Sequence, residues 1–169
     1  MTTRLLALVL TVLLAAGAGA AAPAQPQSGG AAVVALGGDP ETLNLGITTG
    51  YAVGAVAASI YSGLVWIDAR GEFRPDLATA WTVSPDQLTY TFTLRQNVKW
   101  HDGRPFTAAD VKFTMDEITG KHHGRFRTAY ANFESVTVRS PTQVVIRLKR
   151  PYAPLLRLLT VFDSPILAR

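Results

Sequence analysis

The sequence predicts a mixed α/β domain, and three local patterns carry that prediction. Residues 88–94 alternate apolar side chains with threonines, as in a strand that is buried on one face. Thr107 and Asp110 have the spacing of a helix capping box, with Asp in the place of the usual Glu. Residues 136–139 and 144–148 are apolar-rich runs around a Ser-Pro-Thr turn, which is typical of a hairpin. Together these patterns indicate one core of moderate size with a mixed sheet.

The N-terminus is predicted to be a cleavable secretory signal, residues 1–22. Arg4 supplies a positive charge, residues 5–16 are apolar, and Ala-Gly-Ala at 18–20 offers a cleavage site. A transmembrane anchor is the alternative, but the apolar run is shorter than the roughly 20 residues that span a bilayer. Residues 23–31 are predicted to be a flexible leader, and residues 32–169 the mature domain.

The cysteine count and the net charge argue against several classes of protein. The chain has 169 residues and no cysteine, so we expect neither a disulfide framework nor the lipid-bearing cysteine that follows the signal of a bacterial lipoprotein. The formal net charge of +4 is modest and scattered. We therefore expect a soluble periplasmic protein that does not span the membrane after signal cleavage and does not bind nucleic acid.

The first half of the mature domain is predicted to begin with a buried strand at residues 32–36. Apolar residues then recur at helical spacing from Val53 to Leu64, with Gly63 marking the end of that helix. Residues 64–67 and a short partner strand are expected to flank a turn at 68–71.

The second half is predicted as a series of short elements. Residues 75–81 are expected to form one helical turn and residues 84–87 a β-turn. The capped helix should end at Gly120. A basic loop over 121–127 and a final helix over 153–161 are also expected.

Candidate catalytic and metal-binding residues are few. His101 and Asp102 are adjacent on a turn, so they are better explained as turn residues than as an acid–base dyad. His122 and His123 lack further ligands and have basic neighbours, so a solvated loop is favoured over a metal site. There is no Gly-x-Ser-x-Gly elbow and no Walker A sequence. We therefore expect no enzyme activity, catalytic residue, metal or cofactor.

The region from Phe73 to Ile118 closely resembles a known signature. Its parts read Phe-Arg-Pro-Asp-Leu-Ala-Thr-Ala-Trp, then Leu-Thr-Tyr-Thr-Phe-Thr-Leu-Arg, then Val-Lys-Trp-His-Asp-Gly-Arg-Pro-Phe-Thr-Ala-Ala-Asp-Val. This resembles the bacterial extracellular solute-binding proteins of the peptide and nickel type, family 5. The resemblance implies the N-terminal portion of a two-lobed fold like that of type II periplasmic binding proteins, with the lobe incomplete.

The resemblance also implies where ligand contacts lie. Thr49, Gly50 and Tyr51 occupy the segment that lines the cleft in family members, although a loop that merely leads into a helix is the alternative. Arg125, Phe126 and Arg127 lie where nickel-type members carry an arginine and a tryptophan, and an exposed basic loop is the alternative there. The tryptophans are expected to serve packing; they are Trp66, Trp81 and Trp100.

By resemblance, the expected function is that of the substrate-binding component of an ABC importer. It would capture peptides or a similar small solute in the periplasm and deliver it to permease subunits in the inner membrane. The chain, shorter than family members, is expected to be truncated. The alternative is a remnant or an interaction module without the complete ligand cleft.

Overall fold

The computed structural model describes residues 29–31 and 33–169. Residues 36–169 form the second of two units of the chain and are compact. The predicted signal peptide and most of the predicted leader lie outside the described residues. Val33 and Val34 are 97% and 76% exposed and belong to no strand. The prediction of a buried strand at residues 32–36 was therefore wrong, because an apolar run forms a strand only beside a neighbour that shares its backbone hydrogen bonds.

The second unit begins with a 3-10 helix at Leu45–Ile47 and an α-helix, α1, at Tyr51–Ala57. Val53 and Ala57 face inward, one turn apart, as the apolar spacing predicts. The helix ends before Gly63, earlier than expected. A Cβ on Gly63 would lie 2.6 Å from the backbone nitrogen of Val161. The absence of a side chain at Gly63 therefore allows two backbone segments to cross in close contact.

A two-stranded antiparallel sheet follows, with β1 at Val65–Ile67 and β2 at Phe73–Pro75. The predicted turn between them is confirmed. The Asp68 carboxylate accepts hydrogen bonds from the backbone N–H groups of Arg70 and Glu72. Gly71 adopts a φ of 81°, which a residue with a Cβ rarely does.

The main sheet has four antiparallel strands in the order β3-β4-β6-β5. Its strands are β3 (Ala78–Val83), β4 (Thr89–Leu94), β5 (Phe133–Ser140) and β6 (Gln143–Leu148). The predictions for β4 and for the β5–β6 hairpin are confirmed. The predicted helical turn over residues 75–81 was wrong, because pairing with β4 outweighs the weak local preference of this stretch. Trp81 pairs with Phe92 across the two strands, and their rings lie 6.4 Å apart.

Helix α2 (Ala108–Phe113) packs against β5 and β6 of this sheet. Helices α3 (Gly120–His122) and α4 (Gly124–Tyr130) follow, and α4 contacts Phe133 of β5 through Phe126 and Tyr130. The capping box at the start of α2 is confirmed: the Thr107 backbone N–H donates to the Asp110 carboxylate at 2.8 Å. A π-helix at Thr114–Thr119 links α2 to α3. The chain thus continues helically through Gly120, and the predicted stop there was wrong.

Two further predictions of the second half need correction. Residues 121–127 are not a loop, because His123 caps α4 through its side chain and Phe126 anchors that helix in the core. The final helix, α5, covers only Leu155–Leu158, after which buried residues of an irregular segment continue to Ile166. The mixed helix-and-sheet class is confirmed.

The core lies between the main sheet and the helices. Its fully buried side chains come from alternate positions of β4 and β6 and from the inner faces of the helices and the C-terminal segment. They include Phe92, Ile146, Leu148, Val111, Met115, Phe126, Leu155 and Leu159. Within the described part of the chain, every helix falls short of the length and apolar character that crossing a membrane requires.

Gly120 provides a test of the π-helix packing. A Cβ at this position would lie 2.2 Å from the Met115 carbonyl oxygen and 2.8 Å from Cδ1 of Tyr130. We expect Gly120→Ala to lower the free energy of unfolding by about 3 kcal/mol, although alanine in a helix is ordinarily better than glycine by about 1 kcal/mol. Urea denaturation measures the difference.

The matched control is Gly124→Ala on the neighbouring helix. Its Cβ would meet only Cγ2 of Thr49, at an ordinary 3.6 Å. This variant should be as stable as the unaltered chain or slightly more stable. Equal stability of the two alanine variants would contradict the packing role of Gly120.

Candidate functional site

An open cleft of about 750 Å³ lies where the N-terminus of α1, strand β1 and the segment after α5 meet. Three segments supply most of its lining, and α4 adds one side chain. The lining residues are Leu45, Thr49, Gly50, Tyr51, Gly54, Trp66, Ile67, Arg125, Pro154, Arg157, Leu158, Thr160, Val161, Phe162 and Asp163. A mainly apolar wall with a few charged groups is typical of small-molecule sites.

The loop before α1 forms one rim of the cleft. Gly50 is extended and precedes the first helical residue, and its N–H donates to the Thr48 hydroxyl at 3.1 Å. No side chain caps this helix. Tyr51 is 85% exposed, so its ring is available to a molecule in the cleft and is not used for packing.

The charged part of the cleft is centred on Arg125 and Asp163. Asp163 is buried, and its carboxylate pairs with the Arg125 guanidinium across 38 positions of the sequence. A buried carboxylate needs such a partner, because leaving it unpaired in an apolar surrounding is costly. The pairing holds the half-exposed guanidinium of Arg125 at the cleft. Arg157 adds a second cation, so the cleft carries a net positive charge.

Beneath this pair lies His123, whose side chain is fully buried. Its Nδ1 accepts the N–H of Phe126 at 3.2 Å and so caps α4. Nδ1 is therefore unprotonated, and Nε2 is buried without a hydrogen-bond partner among the described residues.

The surroundings of His123 shift its pKa in both directions. Burial lowers the pKa of this imidazole below its ordinary value of 6.5. The Asp163 carboxylate opposes the shift and the Arg125 guanidinium adds to it. The backbone carbonyl groups of Thr48 and Phe162 act in the same direction as Asp163 and raise this pKa. The net effect is a lowered pKa for the buried imidazole beside the Arg125–Asp163 pair.

The structure brings four of the six predicted site residues together. Thr49, Gly50, Tyr51 and Arg125 line the same cleft, although Arg125 follows Tyr51 by 74 positions in the sequence. Phe126 instead lies fully buried in the core, with its ring stacked 5.8 Å from that of Tyr130. Arg127 is exposed on α4 and does not line the cleft.

Sequence reasoning missed several residues of the cleft. Trp66 was expected to serve packing, yet it is 49% exposed and lines the cleft with its neighbour Ile67. Phe162 and Asp163 come from a segment with no predicted role. The one available signal was Asp163 itself, a carboxylate within an apolar run, which must be paired if that run is buried. Among residues 29–31 and 33–169 there is no group of three or more side chains that would hold a metal ion.

Comparisons with known proteins agree on one family. The sequence model of the bacterial extracellular solute-binding proteins, family 5 Middle, matches residues 72–168. The glutathione-binding protein GsiB of Salmonella typhi is 38% identical over 128 residues, which cover 75% of this chain and 25% of that protein. The chain thus spans about a quarter of the length of these curated relatives.

Solved structures give the same result. NikZ from Campylobacter jejuni, in complex with Ni(L-His), is 34% identical with a TM-score of 0.60, over 67% of this chain and 22% of that one. A dipeptide-binding protein from Pseudoalteromonas sp. SM9913, in complex with Met-Leu, is 25% identical with a TM-score of 0.71. The match covers 78% of this chain and 30% of that one. The fold is therefore that of part of a periplasmic binding protein, as predicted.

The buried imidazole predicts a pH dependence of stability. Because the pKa of His123 is lowered in the folded state, the unfolded chain binds more protons below about pH 6.5. Above that pH, His123 should make its full contribution to the free energy of unfolding. The contribution should be lost as the pH falls toward and through the lowered pKa of the folded state. His123→Asn keeps a side-chain oxygen for the Phe126 N–H and removes the titration. We therefore expect urea denaturation at about pH 5 to 8 to show a flatter profile for this variant.

The control for this experiment is His122→Asn, which changes an exposed neighbour. Its pH profile should follow that of the unaltered chain, because the His122 side chain is in solvent. Parallel profiles for the unaltered chain and His123→Asn would contradict the assignment.

Proposed function

Since the chain belongs to the bacterial extracellular solute-binding proteins, family 5, we propose that it binds a small solute for an ABC importer. The cleft supplies one wall of the binding site, and the solute is delivered to permease subunits in the inner membrane. Binding proteins of this kind close by a hinge motion around their ligand. In this proposal the N-terminal segment directs the protein to the periplasm.

The observation that carries the proposal is the placement of Thr49, Gly50, Tyr51 and Arg125 along one cleft. An exposed aromatic ring and a fixed guanidinium are suited to a solute with an apolar part and a carboxylate. Glutathione, the L-His of Ni(L-His) and Met-Leu, which the names and titles of the three relatives mention, all contain an α-carboxylate. We therefore propose a peptide or an amino-acid-like solute, with Arg125 as the partner of its carboxylate.

The other cleft residues support the carboxylate contact of Arg125 in this proposal. Tyr51 provides a flat apolar contact, and Thr49 and Gly50 offer a hydroxyl and backbone groups at the rim. Asp163 positions Arg125 without contacting the solute. Phe126 and Arg127 are left out of the site, since Phe126 is buried in the core and Arg127 does not line the cleft.

The carboxylate contact of Arg125 can be tested by combining one substitution in the protein with one change in the ligand. Arg125→Lys keeps a positive charge beside Asp163 but loses the bidentate geometry of a guanidinium. We expect its affinity for Met-Leu, measured by isothermal titration calorimetry, to fall about tenfold. The affinity for Met-Leu amide, which lacks the carboxylate, should not change with this substitution.

The matched control is Arg127→Lys, on the same helix but outside the cleft. It should bind both ligands as the unaltered chain does. Equal losses for Met-Leu and its amide would show that Arg125 acts on the fold and not on the carboxylate. No saturable binding of Met-Leu or glutathione to the unaltered chain would contradict binding of a peptide-like solute.

Tyr51 tests the opposite rim of the cleft. Tyr51→Ala removes an exposed ring that packs against little of the protein, so the stability of the fold should hardly change. We expect the affinity for Met-Leu to fall about tenfold, because the ring covers an apolar part of the solute. Val83→Ala removes an exposed apolar side chain elsewhere and serves as the control. Unchanged affinity of Tyr51→Ala would remove this residue from the proposed site.

A further inference from the structure

A second pocket, of about 470 Å³, lies beside the cleft and shares Arg125 with it. It is formed by the C-terminal end of α4 and by the residues that follow β6. We call it the basic pocket, and the residues that define it here are Arg125, Asn132, Lys149, Arg150 and Tyr152.

The basic pocket has an excess of positive charge. Three of its lining side chains are cationic, and no carboxylate lines it. Arg125 is paired with Asp163, which lines the neighbouring cleft. Neither Lys149 nor Arg150 forms an ion pair within the described part of the chain. Two cations that line one pocket repel each other, and an anion bound between them relieves that repulsion.

The cations are held in place by the backbone and by one buried amide. Asn132, which is 8% exposed, donates from Nδ2 to the Arg150 carbonyl at 3.0 Å and accepts from Arg150 Nε at 3.2 Å. The Lys149 backbone N–H donates to the Asn132 carbonyl at 2.9 Å. The guanidinium of Arg150 is thus anchored through one nitrogen, and its two terminal nitrogens make no hydrogen bond among the described residues.

Capping of the α4 C-terminus accounts for only part of this arrangement. The Lys149 ammonium donates to the Ala131 carbonyl at 2.9 Å, a common role for a lysine near a helix C-terminus. That bond uses one of its three N–H donors. Arg150 bonds a side chain and no helix carbonyl, so capping does not explain its position. Donors therefore remain on both cations. Tyr152, whose hydroxyl also makes no hydrogen bond among the described residues, lines the same pocket.

We propose that the basic pocket is a binding site for an oxyanion, a carboxylate or phosphate group of a soluble ligand. The free N–H groups of Arg150 and Lys149 donate to its oxygens, and Asn132 positions Arg150 for that purpose. A soluble ligand is favoured over a lipid surface because the cations line a concave pocket, whereas a flat membrane surface meets protruding side chains. The inference goes beyond the proposed function and does not depend on which solute occupies the cleft.

The test is a titration of the full chain with inorganic phosphate, followed by amide NMR at constant ionic strength, with citrate as the carboxylate probe. We expect saturable shifts of the amides of Ala131, Asn132, Lys149 and Arg150 with one common dissociation constant. Arg150→Gln and Lys149→Gln should each weaken this binding about tenfold. Lys149→Gln leaves both bonds of the Asn132 side chain to Arg150 intact, so it tests the site even if Arg150→Gln fails to fold.

The matched control is Arg139→Gln, which removes an exposed arginine from β5, outside the pocket. It should bind phosphate and citrate as the unaltered chain does. Unsaturable shifts, or equal shifts at Arg139 and Arg150, would overturn the proposal in favour of general charge screening. Binding only to phosphatidylglycerol vesicles, with no response to the free anions, would overturn it in favour of a lipid surface.

The same spectra separate this inference from the proposed function. A titration with Met-Leu reports on the amides of residues 49–51, at the rim of the cleft. If Met-Leu shifts those amides and phosphate shifts none, the basic-pocket proposal fails and the proposed function stands. The reverse result would contradict the peptide ligand and support the basic pocket.

Discussion

The arrangement of the cleft depends on one close crossing of two backbone segments. Gly63 passes so near Val161 that any Cβ would collide with its backbone nitrogen. Next to this point the Leu64 N–H donates to the Leu159 carbonyl at 2.9 Å. The crossing fixes the segment after α5 against β1, and that segment carries Asp163 into the base of the cleft. A side chain at position 63 would separate the two walls of the cleft, although it lies outside the lining itself.

Burial of Asp163 then determines the electrostatics around it. The carboxylate pairs with the Arg125 guanidinium, and the pair lies beside the imidazole of His123, whose pKa is lowered by burial. His123 in turn caps α4, the helix that carries Arg125. The helix, its cap and the ion pair therefore stabilise one another, and none of the three is independent. The excess positive charge extends from this cluster toward Arg150, so both pockets present cations to solvent.

The sequence predicted those parts of the fold whose signals are local. The alternation of β4 and the three-residue spacing of the Thr107–Asp110 capping box are contained within one element, and both predictions were confirmed. Strand β3 was missed because an Ala- and Thr-rich stretch becomes a strand only through pairing with β4. Helix α4 was missed because its stability comes from a cap and from the burial of Phe126, neither of which its basic composition indicates.

The cleft was less predictable than the fold. The interpretation of residues 49–51 and of Arg125 came from a family resemblance and not from any periodicity. Asp163 and Trp66 join the cleft through contacts between distant segments, which no local pattern encodes.

The position of Trp66 has a practical consequence. The chain contains three tryptophans, and Trp81 and Trp100 pack against the core, while Trp66 is half exposed at the cleft. Indole emission shifts to shorter wavelength when water around the ring is displaced. The protein therefore carries an intrinsic fluorophore at the cleft, and occupancy can be followed optically without attaching a label.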